Sequence, residues 1–445
     1  MSDSAVDSPS RPWLAAFFWS ATASLSFLLI YGGVNQLTHL RARTTHIPTA
    51  ALPWELRYIP IIPAMIVPYM SIDLFFAASF FLCRDKAELY THTKRLYPSL
   101  AIACACFLLF PLTSAFPRTP VPGFFAPVFR FLWSADAPYN MAPSLHLAFR
   151  GILWVTYVRH TRGLVRLSVK LWFILIGLST LLTHQHQLLD VVTGQFLGFF
   201  CLYLFPDAAP EPSPRRLYNA RSAVRYATGV ALLLIASVYL RPWGLLLLWP
   251  AVCCGILAAA YWRLGPAVFR KSAGRVPFTA RLVLFPYIAG ATLARAFMRR
   301  GADVYNEIAP NLLIGRHLST NQARRAVADS RITAVLDLTA EYSEPLPLLQ
   351  LPYLNIPLLD LTAPTPEELS AAVAFLRRHT PAGPVLIHCA LGYSRSAAVA
   401  AAYLLSTGLA KTPEDAAAHI RQFRPACRLD TLAVSMPAPT SASPA

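Results

Sequence analysis

Two residues near the C-terminal end of the chain carry the clearest chemistry. Cys389 and Arg395 stand with five residues between them in "GPVLIHCALGYSRSAAVAAAYLL", Gly383 to Leu405. A thiol attacks only as its thiolate, and a free cysteine near pKa 8.5 is mostly protonated at neutral pH. The stretch reads as a buried strand ending at Cys389, a short polar loop, and a helix opening near Arg395. Such a loop turns backbone N–H groups and the positive end of a helix toward one point, which favours both a thiolate and a bound anion. Arg395 adds a fixed guanidinium that can hold two phosphate oxygens at once. Gly392 permits the tight turn, and Gly392 and Ser394 are the loop positions expected to line a phosphate. Ser396 can donate a hydrogen bond to the sulfur when it must leave. The matching reaction is attack of Cys389 on phosphorus, a cysteinyl-phosphate, and hydrolysis. It needs a general acid for the departing oxygen. Asp360, in "LNIPLLDLTAPTPEEL", falls between a strand and a helix where a loop can bring it over the site. The plainer reading of Asp360 is a turn residue. The assignment requires a reachable sulfur and a guanidinium aimed at the loop.

The elements around these residues are of a soluble α/β kind from about Asn306 onward. "NLLIG" and "ITAVLDL" read as strands. Thr365, Pro366 and Glu368 form a capping box with Pro at the first helical position, and Thr412 opens a second helix in the same way.

The rest of the chain is different. Of 445 residues, 55% are hydrophobic and 14% charged, against about a quarter charged in soluble proteins. Eight spans are expected, near 13–38, 60–83, 97–116, 143–158, 168–184, 188–205, 224–240 and 243–262. The apolar stretch 282–294 is short, contains Pro286 and Gly290, and reads as an interfacial or buried helix. The net charge of +17 sits between the apolar runs. With a cytoplasmic N-terminus, the inner loops hold roughly twice the Lys and Arg of the outer ones, as membrane orientation requires. That placement excludes a nucleic-acid partner and puts Cys389 on the reducing, cytoplasmic side. Cys83, Cys104, Cys106, Cys201, Cys253 and Cys254 lie in or beside apolar runs, Cys427 has no motif around it, and no cysteine spacing suits a metal. Neither metal nor cofactor is expected. The first apolar run reads as a retained anchor.

A second set of chemical residues lies inside the apolar half. "YNMAPSLHLAFRG" places Ser144 and His146 at the outer start of the fourth expected span. "THQHQLLDVVTG" places His186 and Asp190 at the outer start of the sixth. Ionisable residues there are costly and point to function. His186 and Asp190, four apart, share a helix face. The carboxylate can orient one ring nitrogen and leave the other free to attack, while His146 protonates the leaving group. Ser144 and Arg150, the latter one turn beyond His146, are candidate phosphate ligands. Arg150 could equally pair with a carboxylate such as Asp73.

The phrase "HCALGYSRS" resembles the dual-specificity branch of the protein tyrosine phosphatases, over about residues 303–428 and including "IRQFRP". The resemblance implies Cys389 as nucleophile, Arg395 as phosphate clamp and Asp360 as general acid. Ala390 and Leu391 bring no base to the loop interior, which argues against a highly charged inositol substrate. "DLTAEYSEP" and "IPLLDLT" also look like phosphatases acting on lipid phosphates. The paired histidine phrases resemble the type 2 phosphatidic acid phosphatase superfamily, particularly its inositol phosphorylceramide synthase branch, over about 60–205. That resemblance implies six spans, His186 as nucleophile, Asp190 as its orienter and His146 as acid. Ser179 and Thr180 stand where that family carries Ser-Arg.

The expected architecture is an all-α polytopic bundle followed by an α/β cysteine-phosphatase domain with a central sheet flanked by helices. Its parts are a six-span membrane domain at 1–205, a linker with two more spans and an interfacial helix at 206–300, a dual-specificity phosphatase domain at 301–430 and a disordered tail at 431–445. The expected function is a multi-pass phosphatase of the plasma or inner membrane. A cytoplasmic cysteine site would act on a phosphorylated protein or lipid, and an outer-face histidine site on a lipid phosphate. Alternatively, the membrane half is a headgroup phosphotransferase, or an anchor and sensor without catalysis.

Overall fold

The structure, a computed structural model, describes residues 11–208, 218–298, 303–329 and 331–428. The expected disordered tail and most of the Pro-rich segment Pro206 to Arg216 lie outside the described residues. The chain divides into two compact units, Met1–Ala209 with Leu232–Ala251, and Pro210–Ala231 with Val252–Ala445. The division groups residues 252–300 with the sheet, whereas the sequence reading set its boundary at 301.

The first unit is helical. Among the described residues of the whole chain, five stretches are long and apolar enough to cross a membrane: Trp13–Ala42, Pro63–Leu82 and Gly163–Leu182 in this unit, and Ala220–Tyr239 and Trp243–Phe269, each of which lies partly in this unit and partly in the second. Leu188–Leu204 is a shorter apolar helix. The span expected at 97–116 falls on a helix with other limits, Lys86–Leu109. It starts early because the Asp85 carboxylate caps it, accepting from the Glu88 N–H at 2.8 Å. It stops before Pro111, which disfavours helix at the residue before it. The helix Leu145–His160 replaces the span expected at 143–158, with Ser144 as its N-cap. Two short helices, Pro53–Tyr58 and Ala126–Ala135, were not foreseen.

Small residues let the backbones in this unit approach closely. A Cβ on Gly194 would fall 2.3 Å from the Ser144 carbonyl oxygen, and one on Gly198 would fall 2.5 Å from that of Ala148. This locks Leu188–Leu204 against Leu145–His160. It brings the two histidine phrases side by side.

The second unit is built on five strands: β1 (Tyr305–Ala309), β2 (Leu312–Arg316), β3 (Ala334–Thr339), β4 (Tyr353–Leu358) and β5 (Val385–Cys389). Their order is β1-β2-β5-β3-β4, antiparallel between β1 and β2 and parallel elsewhere. Every residue of β5 is buried, as its unbroken apolar run requires for a central parallel strand. The helix Arg395–Ser406 follows it and is buried from Arg395 to Leu404. Its Ala-rich sequence is apolar on all sides, the mark of a core helix. Thr365 caps Pro366–His379, and Thr412 caps Pro413–Phe423, each through a reciprocal box. The apolar stretch 282–294 begins at the end of the helix Phe278–Val283 and continues on the helix Phe285–Met298.

Candidate active site

Cys389 ends β5, and the loop after it curls back over the sulfur. The Gly392 N–H donates to Sγ at 3.2 Å, and the Ser396 hydroxyl lies 3.4 Å from it. Gly392 has φ +77°, and a Cβ there would fall 2.5 Å from the Gly315 carbonyl oxygen. Only glycine fits that turn. Burial pushes the Cys389 thiol up, but Arg395, the Ser396 hydroxyl and the Ser396 and Gly392 N–H groups outweigh it and hold the thiol below its ordinary value. Cys389 is 3% exposed and Arg395 1%, so both lie at the floor of the loop.

The guanidinium is shared in an ordered way. Its Nη1 and Nη2 donate to the two carboxylate oxygens of Glu341 at 3.1 and 2.7 Å. Nη1 also donates to the Leu358 and Leu338 carbonyls at 2.8 and 3.3 Å. Nε is buried with no partner. A guanidinium offers donors on more than one edge. Glu341 fills the Nη1/Nη2 edge, so the two-point grip expected for phosphate is left to the edge that includes Nε. Asp360 Oδ1 stands 3.5 Å from Nη2, on a side chain half open to solvent. Cys389, Arg395, Ser396, Gly392 and Asp360 are thus brought to one place, and Ser394 is the N-cap residue of the helix that Arg395 opens.

Sequence reasoning missed Glu341, although it lies in the quoted phrase "DLTAEYSEP". It also missed Arg424, which is 3% exposed and donates to the Gly392 and Leu391 carbonyls at 2.9 and 3.0 Å, so pinning the outside of the loop. Neither stands in a sequence pattern that marks it, because both reach the loop through tertiary contacts.

Beneath the loop lies a layer of buried charge. Lys271 donates to Asp337 and to the Thr339 carbonyl, the latter at 2.9 Å. Tyr353 donates to Asp337 at 2.7 Å. His388 Nε2 is 3.2 Å from Glu344 and 3.7 Å from Asp337. Burial works against the His388 charge, but Glu344 and Asp337 raise its pKa to about 9. Burial takes neighbouring His317 down to about 4 despite Glu344. Ligand atoms of Asp337, Glu344 and His388 lie within 4.8 Å of one another, a spacing a metal could use. Lys271 and Tyr353 already fill one Asp337 oxygen, and the charges of Lys271 and His388 balance those of Asp337 and Glu344. The cluster reads as a support for the strand ends.

In the helical unit, His186 Nδ1 and Asp190 Oδ2 are 3.4 Å apart. The Ser144 N–H donates to the Asp190 carbonyl at 3.1 Å. The ring of His146 stacks on Tyr69 at 4.3 Å, and Tyr69 lines one cavity together with His184, His186, Arg118 and Asp136. Arg150 does not line that cavity. One turn deeper than His146, it donates to the Phe173 carbonyl at 2.7 Å and to Gln195, and it pairs with neither Asp73 nor the histidines. Ser144 is used as a helix cap. Arg118, which sequence reasoning passed over, is the guanidinium in the cavity. It donates to the Trp133 and Asp136 carbonyls at 3.0 and 2.7 Å.

Comparison with known proteins places the second unit. Residues 318–432 match the family model described as dual specificity phosphatase, catalytic domain. The chain is similar to phosphatidylglycerophosphatase and protein-tyrosine phosphatase 1 of Homo sapiens, 30% identical over 157 residues, which are 33% of this chain and 77% of that one. The Mus musculus counterpart is also 30% identical over 157 residues, covering 33% of this chain and 80% of the relative. A solved structure titled "Crystal Structure of PTPMT1 in complex with PI(5)P" is 25% identical and covers 30% of this chain and 92% of that one, with a TM-score of 0.28.

Proposed function

The chain belongs to the dual-specificity phosphatase family, and from that premise we propose a membrane-bound phosphatase whose cysteine site removes phosphate from a lipid headgroup. The enzyme class itself is plain: a phosphoric monoester hydrolase with a cysteine-dependent phosphatase domain. In the proposed cycle, Cys389 Sγ attacks phosphorus and the P–O bond to the substrate breaks. Asp360 protonates the departing alkoxide. Water then attacks the cysteinyl-phosphate, with Ser396 donating to the sulfur as it leaves. The Nε edge of Arg395 and the N–H groups of the loop hold the phosphoryl oxygens throughout.

The observation that carries this reading is the thiol lowered between Arg395, Ser396 and Gly392, with Asp360 at the same guanidinium. A lipid substrate is favoured over a protein for two reasons. The relatives bear the name of a phosphatidylglycerophosphatase as well as a protein-tyrosine phosphatase. Among its described residues this chain also has five apolar stretches able to cross a membrane, and tethering at a bilayer raises the effective concentration of lipid phosphates. The proposed topology is multi-pass, with the N-terminus and the phosphatase domain in the cytoplasm.

A second site is supported by the His186–Asp190 pair and the shared cavity that holds Arg118. In this reading His186 attacks an outer-face lipid phosphate, Asp190 orients it and His146 protonates the leaving group, as in the type 2 phosphatidic acid phosphatases. Arg118 takes the phosphate-binding place first considered for Arg150.

The test uses purified full chain with vesicles containing phosphatidylglycerophosphate or phosphatidic acid, and a phosphotyrosine peptide. Cys389→Ser should abolish phosphate release from the first lipid. If it leaves that release intact and removes only peptide turnover, the lipid assignment is wrong. His186→Ala should remove the Cys389-independent release from phosphatidic acid. Undiminished release would leave the bundle an anchor, and transfer of label to a lipid alcohol would make it a transferase.

A further inference from the structure

The general-acid loop of the phosphatase domain is held by residues that precede that domain in the chain. Tyr261 lies in the C-terminal part of the apolar stretch Trp243–Phe269 and is 3% exposed. Its hydroxyl donates to the backbone carbonyl of Asp360 at 3.0 Å. Asn219 Nδ2 donates to the next carbonyl, that of Leu361, at 3.1 Å. The two holders are themselves tied together, because the N–H groups of Tyr218 and Asn219 both donate to the Tyr261 carbonyl, at 3.0 and 3.1 Å. Tyr226 stacks on the Tyr261 ring at 5.7 Å and 11°. Leu359, just before the acid, sits in one apolar cluster with Ala223, Leu257, Tyr261 and Phe269.

The held segment needs holding. Leu361 has φ +57°, the left-handed region that a branched side chain adopts only when its surroundings enforce it. The Asp360 side chain is half open to solvent, and its carboxylate stands 3.5 Å from Arg395 Nη2. Nothing on the carboxylate side locks the loop as firmly as the two backbone carbonyls are locked. Leaving-group protonation depends steeply on placement of the acid.

We propose that Tyr261 is a positioning residue for Asp360, so that the end of the apolar stretch is a working part of the phosphatase site and not only its tether. The proposal rests on Asp360 being the general acid. Removing the Tyr261 hydroxyl leaves the ring stack and the apolar cluster in place while freeing the Asp360 carbonyl.

The test is the dependence of kcat/KM on leaving-group pKa, measured on the full chain in detergent with a series of aryl phosphates from nitrophenyl to unsubstituted phenyl. Tyr261→Phe should lower kcat/KM about 5- to 10-fold for phenyl phosphate, the effect of a lost hydrogen bond, and leave the nitrophenyl ester nearly unchanged. Asn219→Ala should act in the same sense. In an Asp360→Asn background, Tyr261→Phe should change nothing further. An equal loss across the series, or no loss, overturns the proposal in an enzyme whose Asp360→Asn variant does show the steepened dependence. If Asp360→Asn itself shows no leaving-group dependence, the acid assignment fails and the proposal falls with it.

Discussion

Glu341 and Arg395 form a buried two-point pair, Oε1 to Nη2 at 2.7 Å and Oε2 to Nη1 at 3.1 Å. In the proposed cycle the pair decides which edge of the guanidinium is left for a phosphate. Glu341→Gln would keep the shape and leave the buried Arg395 charge only the Asp360 carboxylate, 3.5 Å from Nη2 on a half-exposed side chain. Breaking such a pair costs about 3–5 kcal/mol, so thermal melting should show a large drop and kcat/KM should fall as Nη1 and Nη2 turn toward the loop. The acid limb carries the same information. Burial raises the Glu341 pKa, but Arg395 outweighs it and the folded value lies below the ordinary 4.5. The pair's stability is present above pH 4.5 and is lost as pH falls through the folded value. Wild type should lose melting temperature faster than Glu341→Gln over that window.

The thiol should behave as a depressed one. Cys389 sits below the ordinary cysteine value because Arg395, Ser396 and two N–H groups outweigh its burial. Inactivation by iodoacetate should therefore follow a titration with a midpoint below 9, and Arg395→Lys should shift that midpoint upward. The Lys variant keeps a charge but loses the planar fork. Its kcat/KM should fall by about 100-fold or more, consistent with loss of transition-state donors. A midpoint unchanged by Arg395→Lys would show that the guanidinium does not act on the sulfur.

How far the site was legible follows from where its residues lie in the chain. Cys389, Gly392, Arg395 and Ser396 are within eight positions, so strand, loop and helix can be read together from local pattern. Asp360 was legible from its place between a strand and the Thr365 capping box. Glu341, Lys271 and Tyr261 were not, because each reaches the site through tertiary contacts with no sequence spacing to betray them. A lysine two residues beyond an apolar stretch reads as an interfacial anchor. Only the fold turns Lys271 inward to Asp337. The helical unit shows the same limit. The His186–Asp190 spacing is local and was readable, whereas Arg118 enters the cavity from a loop with no periodicity of its own.

Lys271 gives a test of that inward turn. Its side chain is 1% exposed and Asp337 is fully buried. Lys271→Met would remove the nearest cation from the Asp337 carboxylate and leave it the Tyr353 hydroxyl at 2.7 Å and His388 Nε2 at 3.7 Å, a loss of at most about 3–5 kcal/mol. A fragment beginning at residue 301 lacks Lys271 altogether and should melt well below the full chain. Restoring residues 252–300 should recover the difference. Equal melting temperatures for the two fragments would mean that the ion pair contributes nothing to the sheet.

The neighbouring histidine predicts the opposite limb of the pH profile. His388 is fully buried, and its pKa rises from 6.5 to about 9 because Glu344 and Asp337 outweigh the cost of burial. A raised folded value means the stabilisation is complete below pH 6.5 and is lost as pH climbs through 9. The span corresponds to about 3 kcal/mol. Denaturant unfolding of wild type between pH 6 and 10 should therefore show a decline in stability of that order. In His388→Gln the decline should be absent and stability at pH 6 lower, since Glu344 then keeps only His317 Nε2 at 3.8 Å, a ring that burial holds down to about 4. A wild-type profile flat to pH 10 would mean that His388 is neutral beneath the loop.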